Sequence, residues 1–188
     1  MTAIADRYRA RADAFQRKVA AVRADQWSNQ SPCEGWSARD VVSHIIDMHG
    51  VMLRPLERQL SPAPSVQDDP LGAFTSARAD VEAVLDDPEL AGTEDNSPVG
   101  RLTVEQHIDQ VISADLVIHG WDLARATGQD DTIDPAEIER VRNLWDGVFV
   151  VLGEETLRAQ GVLGPEVKVP NDAPPQNRLL GRLGRDPR

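Results

Sequence analysis

Apolar residues recur along this chain at intervals of three and four over five separate stretches, the rhythm that puts them on one side of an α-helix. Ile4, Tyr8, Phe15, Val19 and Val22 predict a first helix from about Thr2 to Asp25, with Arg11 the one polar residue on its stripe. The segment from Trp27 to Trp36 is rich in turn formers. Ser37 with Asp40 then makes a pattern like a capping box, opening a second helix from about Ala38 to Leu60 in whose last stretch Pro55 can act as a kink or an early stop. Asp69-Pro70 starts a third helix that reaches about Asp86 and turns Phe74, Ala77, Val81, Val84 and Leu85 inward. Residues 87 to 103 read as a long polar connection. Thr103 caps a fourth helix ending at Thr127, where Gly128 supplies the stop, and a fifth runs from Pro135 to about Arg158.

No alternating strand pattern exceeds Val167 to Val169, so the predicted class is all-α. The pattern fits a four-helix bundle with an additional C-terminal helix and an extended tail. Residues 1–160 would form the bundle, and residues 161–188 a tail packed on it within the same domain, anchored by Leu179 and Leu180.

Two polar residues interrupt the fourth apolar stripe. Asp115 and His119 are four positions apart among Val104, Ile108, Val111 and Ile112, so both fall on the face that otherwise points to the core. Ionisable groups turned inward must be paired, hydrogen-bonded or metal-bound. The two could simply satisfy each other; a third donor would favour a ligand role. His44 is such a donor, lying with Val41, Ile45, Met48 and Met52 on an inward stripe of the second helix. Packed side by side, the two helices would bring two imidazoles and one carboxylate together, a ligand set for a divalent ion with open coordination positions.

Composition narrows the function classes. A net charge of −11, from 31 Asp plus Glu against 20 Lys plus Arg, with no basic run interleaved with aromatics, argues against nucleic acid and anionic membrane surfaces. The opening residues lack the apolar core of a signal peptide, and no run approaches a membrane span. A cytoplasmic protein is expected. Cys33 is the single cysteine and can form no intrachain disulfide.

Taken together, Pro32-Cys33-Glu34-Gly35-Trp36-Ser37 leading to His44, then Asp115-x-x-x-His119-Gly120-Trp121-Asp122-Leu123 and on to Gly128, resemble the short actinobacterial branch of the DinB superfamily that includes mycothiol-dependent maleylpyruvate isomerase. The likeness extends to the tail, in Val169-Pro170 and Gly184-Arg185-Asp186-Pro187. It implies a DinB-like four-helix bundle holding zinc or nickel through one histidine of helix two and two residues four apart on a later helix, which match His44, Asp115 and His119. The isomerase has glutamate where this chain has Asp115, one methylene longer, and carries a further C-terminal domain that these 188 residues do not contain. The resemblance therefore does not carry the specific isomerase reaction.

Other residues have a functional and a plain reading. His49, five positions after His44 and about 140° round the helix from it, reads as a surface histidine. His107 reads as solvated at a helix end, with a substrate role as the alternative. Cys33 is either a packing residue in a tight turn or a thiol activated at a helix N-terminus, and is expected to be dispensable for metal binding. Trp36 and Trp121 either pack the bundle or line a pocket. Asp122 is expected to cap or to pair with Arg125, and Glu94 and Asp95 are the acid/base candidates of the long connection.

Two function classes remain. One is a metal-dependent enzyme activating water or a low-molecular-weight thiol such as mycothiol, of thiol transferase or thiol-dependent isomerase type. The other is a non-catalytic metal- or small-ligand-binding bundle. A small-molecule substrate or thiol is the expected partner, and a homodimer is compatible with the sequence.

Overall fold

The computed structural model describes residues 2–188. Helix α1 (Ala3–Ala20) starts where the Thr2 hydroxyl accepts from the Ala5 amide, a cap worth about 1 kcal/mol. It stops short of Asp25 and is followed by a single 3₁₀ turn, Ala24–Gln26. The expected box at Ser37 and Asp40 is present in both directions and opens α2 (Ala38–Leu53). This helix ends seven residues before Leu60, because Pro55 sits in a 3₁₀ turn over Arg54–Leu56 and Glu57 then takes a left-handed conformation. Asp69 caps α3 (Pro70–Asp86), and a short α4 (Pro88–Ala91) follows.

Residues 87–103 are more ordered than their composition suggests. Besides α4 they contain an antiparallel hairpin, β1 (Glu94–Ser97) with β2 (Gly100–Thr103), closed by Pro98 and Val99 between the paired Ser97 and Gly100. The fourth predicted helix is divided at Val111 into α5 (Val104–Gln110) and α6 (Ile112–Thr127), although backbone hydrogen bonds from Val111 to His107 and from Asp115 to Val111 carry the helical pattern across. Gly128, left-handed at φ 66°, ends α6 as expected. The fifth is likewise divided, into α7 (Pro135–Leu152) and α8 (Glu154–Ala159), at Gly153 with φ 80°. The tail contains α9 (Pro175–Arg182). Val167 is not part of a strand; its amide donates to the Gly181 carbonyl at 2.9 Å.

The helices α1, α6, α2 and α3 pack in that cyclic order, each against the next, and α3 closes on α1. Tyr8, Phe15, Val41, Ile45, Phe74, Val81, Ile108 and Leu123 fill the space between them. The Phe15 and Phe74 rings lie 5.0 Å apart and tilted, in the range where aromatic pairs add about 1 kcal/mol to burial. A second cluster of Ile118, Trp121, Val141, Leu180 and Leu183 seats α7 and α9 on the outer side of α6. Arg11, the intruder on the first stripe, crosses to this layer and pairs with Glu137 of α7. No helix among the described residues is long and apolar enough to cross a membrane.

His49 corrects the sequence reading. It is wholly buried, donating from Nδ1 to the Ile45 carbonyl at 2.6 Å and meeting the Tyr8 hydroxyl through Nε2 at 2.9 Å. The buried arc of α2 runs through Ala38, Val41, Val42, Ile45, His49 and Met52, so His44 stands at its edge rather than its centre.

Candidate functional site

The turn before α2 is docked on the end of α6 by side chains that satisfy carbonyls the helix cannot satisfy itself. Gln26 donates to the Thr127 carbonyl at 2.7 Å and Asn29 to that of Ala126 at 2.9 Å. The turn closes through the Ser31 amide on the Trp36 carbonyl, with Gly35 left-handed at φ 76°. Cys33 and Trp36 are thereby held against α6, while α2 lies alongside it and contributes His44.

His44, Asp115 and His119 come together as their spacing predicted. One donor atom from each lies within 4.8 Å of the others. His44 Nε2 is 3.5 Å from Asp115 Oδ2, and the two imidazole rings are 4.6 Å apart. Two ligands on one tetrahedral ion, at bond lengths of about 2.1 Å, would stand roughly 3.4 Å apart, so the first pair already has that separation. Trp36 packs on both rings, 4.9 Å from His44 and stacked 5.7 Å from His119. Trp121, by contrast, is buried in the second core cluster and plays no part here.

The arrangement is graded in exposure. The side chains of His44 and Asp115 are 28% and 24% exposed, that of His119 is 9%, and that of Asp122 is 0%. One side of the cluster thus meets solvent while the other is sealed.

Asp122 forms the sealed side, and its expected partner was wrong. It lies three residues after His119, on the same side of the helix, and accepts from His119 Nδ1 at 2.9 Å. Arg125 turns instead to Asp131 at 3.2 Å. Asp122 also accepts from Cys33 Sγ at 3.2 Å and from Arg185 of the tail at 3.1 Å. Burial works against ionising this carboxyl, but the Arg185 charge and the His119 hydrogen bond outweigh it and hold the pKa down at about 2. Burial and the Asp122 charge push the Cys33 thiol up to about 12, the opposite of an activated cysteine. The plain reading in which Asp115 and His119 satisfy each other is also replaced, since the His119 hydrogen bond goes to Asp122.

Cys33 reaches further than its place in a turn suggested. Its sulfur, with His119 and Asp122, makes a second group of donors within 4.8 Å of one another, sharing His119 with the first. His107 is not brought to the site; its Nδ1 faces Asp95 at 3.4 Å beside the hairpin. Glu94 pairs with Arg101 across the hairpin, so neither acid/base candidate of that connection stands at the cluster.

Comparison with known proteins adds to this geometry. The family model described as the mycothiol maleylpyruvate isomerase N-terminal domain matches residues 8–124. Two uncharacterized proteins of Mycobacterium tuberculosis are similar over nearly the whole length: Rv0738 of strain ATCC 25618 / H37Rv and MT0763 of strain CDC 1551 / Oshkosh. Each is 28% identical over 174 residues, covering 92% of this chain and 92% of its own. No solved structure matches significantly.

Proposed function

Because the chain belongs to the mycothiol maleylpyruvate isomerase N-terminal domain family, we propose that it is a divalent-metal protein, with His44, Asp115 and His119 as the ligands, that activates a low-molecular-weight thiol or water. One observation carries the reading: three donors stand at ligand spacing while the other nitrogen of one of them, His119 Nδ1, is already hydrogen-bonded to a buried carboxylate. That bond fixes the tautomer and leaves Nε2 as the free ring nitrogen, the arrangement that metal-ligating histidines ordinarily show. Two imidazoles with one carboxylate suit zinc or nickel better than magnesium or calcium.

A bound ion of this kind supplies Lewis acidity, lowering the pKa of a thiol or water enough to make it a nucleophile near neutral pH. The protein does the rest. Trp36 buttresses both imidazoles, and the sealed side keeps water from Asp122. The half-exposed edge at His44 and Asp115 leaves a way in for a small molecule. That opening favours an exchanging, catalytic site over one serving stability alone, which would be closed on every side. Within the family the fitting thiol is mycothiol, and the cytoplasm, where such thiols are kept reduced, is the fitting compartment.

Calorimetric titration of mycothiol into zinc- or nickel-loaded protein, and into the same protein after chelation, tests the proposal. Binding that needs the metal and disappears with His44→Ala supports it. Equal binding to the chelated protein would refute thiol activation at this site.

A further inference from the structure

Of the features outside the three proposed ligands, the one with the most complete set of contacts is the seat of Arg185. This guanidinium comes from the tail, far along the chain from Asp122 and Cys33, and is buried against α6 and the turn before α2. Its Nη2 donates to Asp122 Oδ2 at 3.1 Å and lies 3.5 Å from Cys33 Sγ, its Nε is 3.4 Å from Asp122 Oδ1, and its Nη1 donates to the Leu183 carbonyl at 2.8 Å.

The chain is shaped to deliver it. Gly184 is left-handed at φ 84° and crosses Gly164 so closely that a Cβ there would stand 2.9 Å from the Gly164 backbone. A side chain at residue 184 would have to move the crossing. Leu180 and Leu183, just before it, are locked in the second core cluster.

We propose that Arg185 is a positioning residue for the metal site: it holds Asp122 so that Asp122 holds His119 toward His44 and Asp115, and it excludes the ion from the competing donors Cys33, His119 and Asp122. The inference rests on the ligand set proposed above. Two facts support the selective part. Asp122 has its oxygens engaged by Arg185, His119 and Cys33, leaving little capacity to ligate. The Arg185 cation touches the second set directly and opposes a second positive charge there, whereas it acts on Asp115 of the first set only at longer range, and among the described residues no arginine is hydrogen-bonded to His44, Asp115 or His119. The tail thereby decides which face of His119 is used. A side-chain link of this kind typically governs metal affinity by 10- to 100-fold.

The test uses the full chain loaded with cobalt(II), whose d–d and thiolate charge-transfer bands report the ligands, together with competition measurements of zinc affinity. Wild type is expected to bind one ion without a thiolate band. Arg185→Gln should lose about tenfold or more in affinity and gain a thiolate band that Cys33→Ser abolishes, while Arg185→Lys, keeping the charge without the fork, should fall between. Circular dichroism separates loss of fold from loss of site, and if Arg185→Gln does not fold, Arg185→Lys and Asp122→Asn carry the comparison. Unchanged affinity and spectrum in the folded variants of a metal-binding wild type would overturn the role of Arg185. A wild type that binds no ion would instead overturn the ligand set itself.

Discussion

Lowering the pH from 7 to 5 should destabilise the metal-free protein through one residue, His49. Its imidazole is wholly buried between Tyr8, Ile45 and Phe74, and burial lowers its pKa from 6.5 to about 4, the Ile45 carbonyl offsetting only part of the effect. Asp115 and Asp80 favour its protonation and Arg78 opposes it, none strongly enough to reverse the outcome. The folded-state value lies below the unfolded one, so the unfolded chain binds the extra proton across this window. Stability from the neutral ring is therefore complete above about pH 6.5 and is lost as pH falls toward about 4. The whole shift corresponds to about 3 kcal/mol, of which about 2 is gone by pH 5. Urea unfolding at the two pH values, after chelation so that release of bound metal does not enter, measures the difference. The double variant Tyr8→Phe/His49→Leu removes both partners together and should lose most of the pH dependence, whereas Tyr8→Phe alone leaves a buried nitrogen without its donor and should cost about 1–3 kcal/mol at pH 7. If the double variant keeps the wild-type pH dependence, His49 is not the titrating group and the reasoning fails.

Other outcomes follow from the same contacts. Cys33→Ser should retain the metal with near-normal affinity, since the sulfur is on the sealed side with Asp122; a folded but metal-free Cys33→Ser protein would contradict the ligand set. Native Cys33 should react with iodoacetamide much more slowly at pH 7.5 than after unfolding, because its thiol is pushed up to about 12; rapid stoichiometric alkylation of folded protein would count against this. Phe74→Ala should lower unfolding stability by about 3–5 kcal/mol, since the ring is fully buried against Phe15 and His49. A cost under 1 kcal/mol in denaturant titration would show that the bundle centre is less tightly packed than described.

The helices were legible because each has a signal of its own: the cap at Ser37, Pro70 in a first turn, Gly128 after a last one. The hairpin was not, since Glu94-Asp95-Asn96-Ser97 has no apolar alternation to betray a strand held by backbone pairing and polar side-chain contacts. His44, Asp115 and His119 were found by helical spacing. His49 was misplaced because the inward arc of α2 was centred on His44, although Ala38, Val42 and Ile45 at eleven, seven and four residues before it form the apolar side to which it belongs. Asp122 carried a usable signal, since three residues after His119 it shares that side of the helix, but the nearby Arg125 offered a competing partner at the same spacing. Arg185 had only the tail likeness in Gly184-Arg185-Asp186-Pro187, which assigns it no role, because nothing local relates a tail residue to a helix more than sixty positions earlier.

The proposed function requires one divalent ion between α2 and α6. Elemental analysis of the purified protein, beside His44→Ala, Asp115→Ala and His119→Ala variants shown by circular dichroism to be folded, tests it most directly. About one equivalent of zinc or nickel in the wild type and loss of it in both histidine variants is the predicted result. Full occupancy in folded His119→Ala, or no bound metal in the wild type after incubation with either ion, would contradict it.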